Sequence, residues 1–243
     1  LYAIVKKILS VSQSKKEFKS FMSMEDRQAT RIHFNMALIG GYLGTYGLLT
    51  RGGNFPSAQT SNLISIVSLI IGQDPLHIMV RLGALAVYVG AIILCTWLPK
   101  HTRVRLPEVS LAISTIAVLV SPLIPLTTDP FLALYPLFFA TAFQWCSFKA
   151  PGGFTCATIF STNNLRQFSS AAVEVWLNHD DSFRDKFRFF GGTLLSFHCG
   201  AAAAVLLSLA FDVKASLFCL IPLVSAWYQL EAAAHRVTAE RIA

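Results

Sequence analysis

The sequence predicts an all-α integral membrane protein: about six transmembrane helices plus two re-entrant or broken half-helices, built as two inverted three-span repeats. Three observations lead there. The 243 residues are 54% hydrophobic and only 14% charged, whereas soluble domains carry roughly 25% charged residues. The apolar residues fall in long runs, several near the roughly 20 residues a helix needs to cross a bilayer. One unusual pattern also occurs twice: a glycine pair ending a hydrophobic run, small polar residues, then Thr-x-Asn-Leu opening a new segment. The first copy runs from Arg51-Gly52-Gly53 to Thr60-Ser61-Asn62-Leu63, the second from Pro151-Gly152-Gly153 to Thr162-Asn163-Asn164-Leu165.

Residues 1–31 carry seven Lys/Arg against three acids. They read as a cytoplasmic basic segment with interfacial, amphipathic character. They lack the long apolar core and small-residue cleavage site of a signal peptide. Full-length spans follow near 32–50, 78–98, 109–127, 131–149, 189–211 and 214–231, and a cytoplasmic tail is expected over 232–243. The segments after the glycine pairs differ. Residues 61–72 are too short to cross, and 162–178 carry Arg166, Gln167 and Glu174.

Charge separates the two topologies. If all eight segments crossed with the N-terminus inside, Lys100, Arg103, Arg105 and Lys149 would face outward. If 51–77 and 150–178 dip in and return, those residues, the basic cluster at 184–188 and Arg236 and Arg241 all fall inside. Positive charge concentrates on cytoplasmic loops, and a Lys or Arg at a span centre costs about 2.5–3.5 kcal/mol. Six crossings therefore fit better, with both termini cytoplasmic in a multi-pass protein of the cell membrane. Units 32–127 and 131–231 then each cross three times, so the second is upside down relative to the first. Paired breaks in such a repeat point to a solute site, because backbone leaves the helix in a membrane only where protein or a water-lined cavity satisfies it.

At these motifs the chain resembles the YoaK-like family, small bacterial and fungal membrane proteins of uncharacterised function. The likeness rests on Gly41-Tyr42-Leu43-Gly44-Thr45, Gly52-Gly53 and Thr60-Ser61-Asn62 in the first unit. In the second it rests on Phe143-Gln144-Trp145, Gly152-Gly153 and Thr162-Asn163-Asn164. It covers about 32–231 and implies the polytopic fold, without a reaction. This chain departs from the family pattern at Gly44, where the pattern has aspartate, and at Ser61 and Asn163, where it has glycine. A proton or cation role of that aspartate is therefore not expected here. Gly44 aligns with Gln144.

The residues expected to line a solute site are Gln59, Thr60, Asn62, Gln144, Thr162, Asn164 and Arg166. Thr60, Asn62, Thr162, Asn163 and Asn164 also suit helix N-caps, which satisfy orphan N–H groups and present partial positive charge. Gln59 and Gln144 suit interhelical hydrogen bonds. Arg166 has Glu174 two turns away as a partner, or a cavity, and Arg81 reads as snorkelling outward. His198 reads as a hydrogen-bonding bundle residue. The five cysteines lie in or beside apolar segments without metal or disulfide spacing and read as buried free thiols. The net charge of +7 comes without a basic-aromatic module, so no nucleic-acid partner is expected.

The sequence thus favours a permease or channel for a small polar solute, anions included, with the lipid bilayer as its environment. No catalytic constellation, cofactor or metal site is expected. A non-transporting scaffold or sensor is the alternative, then a membrane-embedded enzyme with Cys156 or His198 as first suspects. Assembly as a homo-oligomer is left open.

Overall fold

The structure, a computed structural model, describes residues 24–242. The basic segment expected over 1–31 lies outside the described residues up to position 23, and the chain is helical from Met24. Eight α-helices follow among the described residues: α1 Met24–Thr50, α2 Gln59–Ile71, α3 Pro75–His101, α4 Leu106–Val120, α5 Tyr135–Ser147, α6 Thr162–Trp176, α7 Arg184–Phe211 and α8 Leu220–Ile242. Short 3-10 turns join some of them, and the described residues contain no strand.

Local chemistry sets the boundaries. Asp74 caps α3 by accepting from the His77 N–H at 3.2 Å, and Pro75 follows at the first helical position, where its missing N–H costs nothing. The helix therefore starts three residues before the expected 78. Helix α7 likewise begins at Arg184 rather than 189, out of the 3-10 turn Asp181–Phe183. It stops at Asp212, whose φ of 49° leaves the helical region. The last span was expected from 214, but Asp212–Cys219 is 3-10 and α8 starts at Leu220.

Three helical stretches are long and apolar enough to cross a membrane: Pro75–His101, Leu106–Leu123 and the run Asp181–His235. Their outward faces are strongly apolar, with Met79, Ile93, Leu206, Leu209, Ile221 and Val224 all exposed. A surface of this kind fits lipid rather than water.

The interior is built around α1, where Met36, Ala37, Ile39 and Leu43 are fully buried. Helices α1 and α7 approach at backbone distance. A side chain at Gly41 would strike the Phe197 carbonyl, and one at Gly200 would strike that of Leu38. Tyr42 and Tyr46 donate their hydroxyls to the Ala215 and Val213 carbonyls at 2.6 and 2.9 Å, tying α1 to the 3-10 stretch.

The helix pairings form a pattern. Helix α1 packs on α7 and α3 on α5; α2 packs on α3 and α6 on α7; α1 packs on α8 and α5 on α4; and α4 packs on α8. Exchanging α1–α4 for α5–α8 returns the same set. Side-chain burial repeats it too: Ala84, Tyr88, Ala91 and Cys95 on α3 match Thr193, Phe197, Gly200 and Ala204 on α7 in spacing.

Direction is fixed by contacts along each pair. Gln144 of α5 bonds Met36 of α1, while Leu134, just before α5, lies against Gly47, so α1 and α5 are antiparallel. Arg81 lies over Phe131 and Cys95 beside Ser147, so α3 and the 131–147 segment are parallel. Asn35 reaches Pro222 and Gln28 reaches Gln229, making α1 and α8 antiparallel. The Arg51 guanidinium at the end of α1 meets carbonyls just after α4, so α1 and α4 end on the same side.

Candidate functional site: two helix breaks and two cavities

Both glycine pairs sit in the left-handed region, with φ of 64° and 76° at Gly52 and Gly53 and 65° and 71° at Gly152 and Gly153. Two successive residues there are open to glycine with little strain, and they turn the chain back along the helix it has just left. After the first pair, the Phe55 ring lies against Gly44 and Pro56 against Gly47. After the second, the Thr158 carbonyl and Ile159 lie against Gly40. Gly40, Gly44 and Gly47 follow helical spacing on one face of α1. The two breaks therefore approach α1 from opposite ends and finish one turn apart.

Each break is held by an asparagine near the start of the next helix. Asn62 is buried; its amide donates to Gln59 Oε1 at 3.2 Å and the Arg81 carbonyl at 3.3 Å, and its oxygen accepts from Arg81 Nη1 at 3.4 Å. Asn164, also buried, donates to the Ala157 and Phe160 carbonyls at 2.7 and 2.9 Å and accepts from the Ala157 N–H and the Cys156 thiol at 3.3 Å each. These residues close the loops; they do not cap the helices. The cap positions are Ala58 and Ser161, and neither makes a side-chain capping bond. The expectation of Thr and Asn caps is corrected on this point, because each helix begins earlier than the Thr-x-Asn motif suggests.

Gln144 is fully buried. Its amide donates to the Met36 carbonyl at 2.8 Å and to Thr158 Oγ1 at 3.0 Å, while its Oε1 has no partner among the described residues. Gln59 is half-buried, with an unpartnered Nε2. Thr60, Thr162 and Arg166 are exposed. Arg166 donates to Asn163 at 3.3 Å, and Glu174 accepts from Asn178 instead. Of the seven expected site residues, Asn62, Gln144 and Asn164 are buried, Thr60 and Arg166 are exposed, and Thr162, also exposed, lines a cavity between α6 and α7. His198 is exposed and bonds the Leu194 carbonyl of its own helix.

Three cavities adjoin the breaks. One, about 540 Å³, is apolar and lies between Thr162, Leu165 and Phe168 of α6 and Gly191, Leu194 and His198 of α7; the other two correspond to one another. The larger of these two, about 530 Å³, lies between the second break and the starts of α1 and α7. The smaller, about 170 Å³, lies between the first break, the start of α3 and the turn before α5. Their walls correspond: Gly152 and Phe154 stand where the other has Gly52 and Asn54, and Phe189 and Thr30 where it has Val80 and Pro130.

The smaller cavity is polar. Arg81 lies 4.3 Å over the Phe131 ring, and His77 bridges Asp74 at 2.6 Å and Asp129 at 3.7 Å. Hydrogen bonds from the His77 N–H and ring hold the Asp74 carboxyl below its ordinary range. Arg81, read from sequence as a snorkelling residue, thus also belongs to a site. The larger cavity joins Phe34, Phe154 and Phe189 to the charges of Arg27, Asp185 and Arg188. From sequence, Arg27 belongs to the basic segment 1–31 and Arg188 to the basic cluster at 184–188, with nothing to join them at one cavity. The signal was the interleaving of Phe187, Phe189 and Phe190 with Lys186 and Arg188.

Arg51 was also overlooked. It is 3% exposed and donates to the Ser121 and Ile124 carbonyls at 3.0 Å and that of Pro125 at 3.4 Å. It satisfies carbonyls of the 3-10 turn Ser121–Leu123 that follows α4 and of the two residues after it, a structural task.

Among known proteins, no curated protein and no solved structure matches this chain. A family described as a protein of unknown function matches residues 32–228, a span that holds both breaks and most of the eight helices. The chain therefore belongs to that family, DUF1275.

Proposed function

We propose that the chain is a membrane permease or channel for a small polar solute, anions included, built as an inverted repeat of six spans with two re-entrant segments. Within its family the finer likeness is to the YoaK-like membrane proteins. The antiparallel course of α1 and α5 supports this topology: with three crossings per unit the first helices of the two units run in opposite directions, and with four they would run in the same direction. The observation that carries the function is the pair of corresponding cavities, one beside each break. In this topology they open on opposite faces, the smaller outside and the larger inside. Asn62 bonds Arg81 on the wall of the smaller cavity, and the buried amides of Gln144 and Asn164 hold the second break beside the larger. No catalytic role is assigned.

Proteoliposomes holding the full chain test the reading by osmotic swelling in formate, acetate, urea and glycerol. At least one solute enters faster than into empty liposomes, and the double variant Asn62→Ala, Asn164→Ala slows it. A scaffold gives no acceleration for any solute, which overturns the permease reading. Acceleration unchanged by the double variant removes the site assignment alone.

A further inference from the structure

The larger cavity differs from its counterpart in more than size. At about 530 Å³ it falls within the range of small-molecule sites. Three aromatic rings form its apolar wall: Phe154 stacks on Phe189 at 5.2 Å, and Phe34 lies 5.9 Å from Phe189. Arg27 and Arg188 line it together with Asp26 and Asp185, and neither arginine is ion-paired among the described residues. Behind the wall, His33 lies 5.1 Å from the Phe189 ring; it is 1% exposed, and both ring nitrogens are unpartnered among the described residues. The Thr30 hydroxyl on the cavity wall is also buried without a partner among the described residues. Such groups are costly unless something else satisfies them.

We propose that this cavity binds a small aromatic carboxylate, with its ring against Phe34, Phe154 and Phe189 and its carboxylate on Arg27 and Arg188. The inference rests on the permease reading and narrows its solute class. A guanidinium pair favours a planar, bidentate anion, and ring faces favour an aromatic over an aliphatic body. The Thr30 hydroxyl supplies a further donor. The smaller cavity repeats these elements in Arg81 and Phe131 at a third of the volume, too small for a comparable ligand and charge in this state.

Calorimetric titration of the full chain in nanodiscs, with benzoate as the probe, tests this. Benzoate binds saturably. Cyclohexanecarboxylate, of equal charge and similar bulk, binds about fivefold more weakly, and benzyl alcohol, lacking the charge, at least about tenfold more weakly. Arg188→Gln weakens benzoate about tenfold, while Arg105→Gln, whose arginine pairs with Glu108 away from both cavities, leaves it within about twofold. Equal binding of benzoate and benzyl alcohol overturns the proposal, as does an equal loss on Arg105→Gln. Should Arg188→Gln fail to fold, the ligand series on the unaltered chain still decides. Benzoate binding without accelerated swelling in benzoate or in any of the smaller solutes leaves this site standing and overturns the permease. Accelerated swelling without benzoate binding does the reverse.

Discussion

The side-chain amide of Gln144 donates to the Thr158 hydroxyl at 3.0 Å, and its second proton goes to the Met36 carbonyl at 2.8 Å. One buried residue of α5 therefore clamps the second break against α1. The first break has no counterpart, because the aligned position is Gly44, whose space the Phe55 ring fills. Against α1, the second break is thus fixed by hydrogen bonds and the first by ring packing.

Replacing Gln144 with Leu keeps the volume and deletes both donors. At about 0.5–1.5 kcal/mol per bond, the loss is about 1–3 kcal/mol, read as a lower thermal midpoint in detergent. Gln144→Glu falls further, since an ionised carboxylate cannot donate to the Met36 carbonyl. A Leu variant as stable as the original chain would show that the clamp adds nothing.

Gly40 and Gly44 separate the two modes of closure. A methyl at Gly40 meets the Thr158 carbonyl, which is backbone, whereas at Gly44 it meets the far end of the Phe55 ring. Gly40→Ala therefore costs about 1–3 kcal/mol by overpacking, and Gly44→Ala costs less, because a ring can rotate away. Equal losses in thermal unfolding would contradict this assignment. The same geometry explains how an aspartate at position 44 requires the first break to be arranged differently.

The fold was legible to the extent that it depends on periodic apolar runs and on conformational necessity. The glycine pairs announced the breaks because few other residues tolerate consecutive left-handed angles, and the structure has all four there. Side-chain roles were less legible. Thr60, Thr162 and Arg166 share a motif with Asn62 and Asn164, but helical spacing turns them outward. Sequence cannot reveal that turn without the helix start, which lies at Gln59 and Thr162. The larger cavity was hidden for another reason. Its walls come from α1, the second break and α7, and no local pattern joins residues 27, 154 and 188.

Arg51 offers a contrast with Arg81. Its buried guanidinium holds three carbonyls just after α4, those of Ser121, Ile124 and Pro125, each charged hydrogen bond being worth about 1.5–3 kcal/mol. Arg51→Met should destabilise by at least about 3 kcal/mol in chemical or thermal unfolding. Arg81, partly exposed over Phe131, should alter solute entry more than stability when changed to Gln. Reversal of that order would exchange their roles.

Asp74 gives a signed pH dependence. Its carboxyl is held below the ordinary value by the His77 N–H and ring, so its contribution is present above about pH 4 and fades as pH falls through the lowered value. Asp74→Asn retains a capping side chain without that titration. The stability advantage of the original chain over this variant should therefore shrink between about pH 5 and pH 3. An advantage that grows over that range would refute the assignment.

The direction of the helices leads to the most decisive topological test. Thr127 lies in the turn between the units and Asp181 between α6 and α7, both exposed. With three crossings per unit, positions 127 and 181 fall on opposite sides of the membrane; with four, they fall on the same side. Thr127→Cys and Asp181→Cys, each in a Cys199→Ser background because Cys199 is exposed, can be labelled with an impermeant maleimide. In sealed right-side-out vesicles position 127 should react and 181 should not, and inverted vesicles should exchange them. Labelling of both from the same side would make α2 and α6 full crossings. It would also remove the opposed placement of the two cavities on which the permease reading stands.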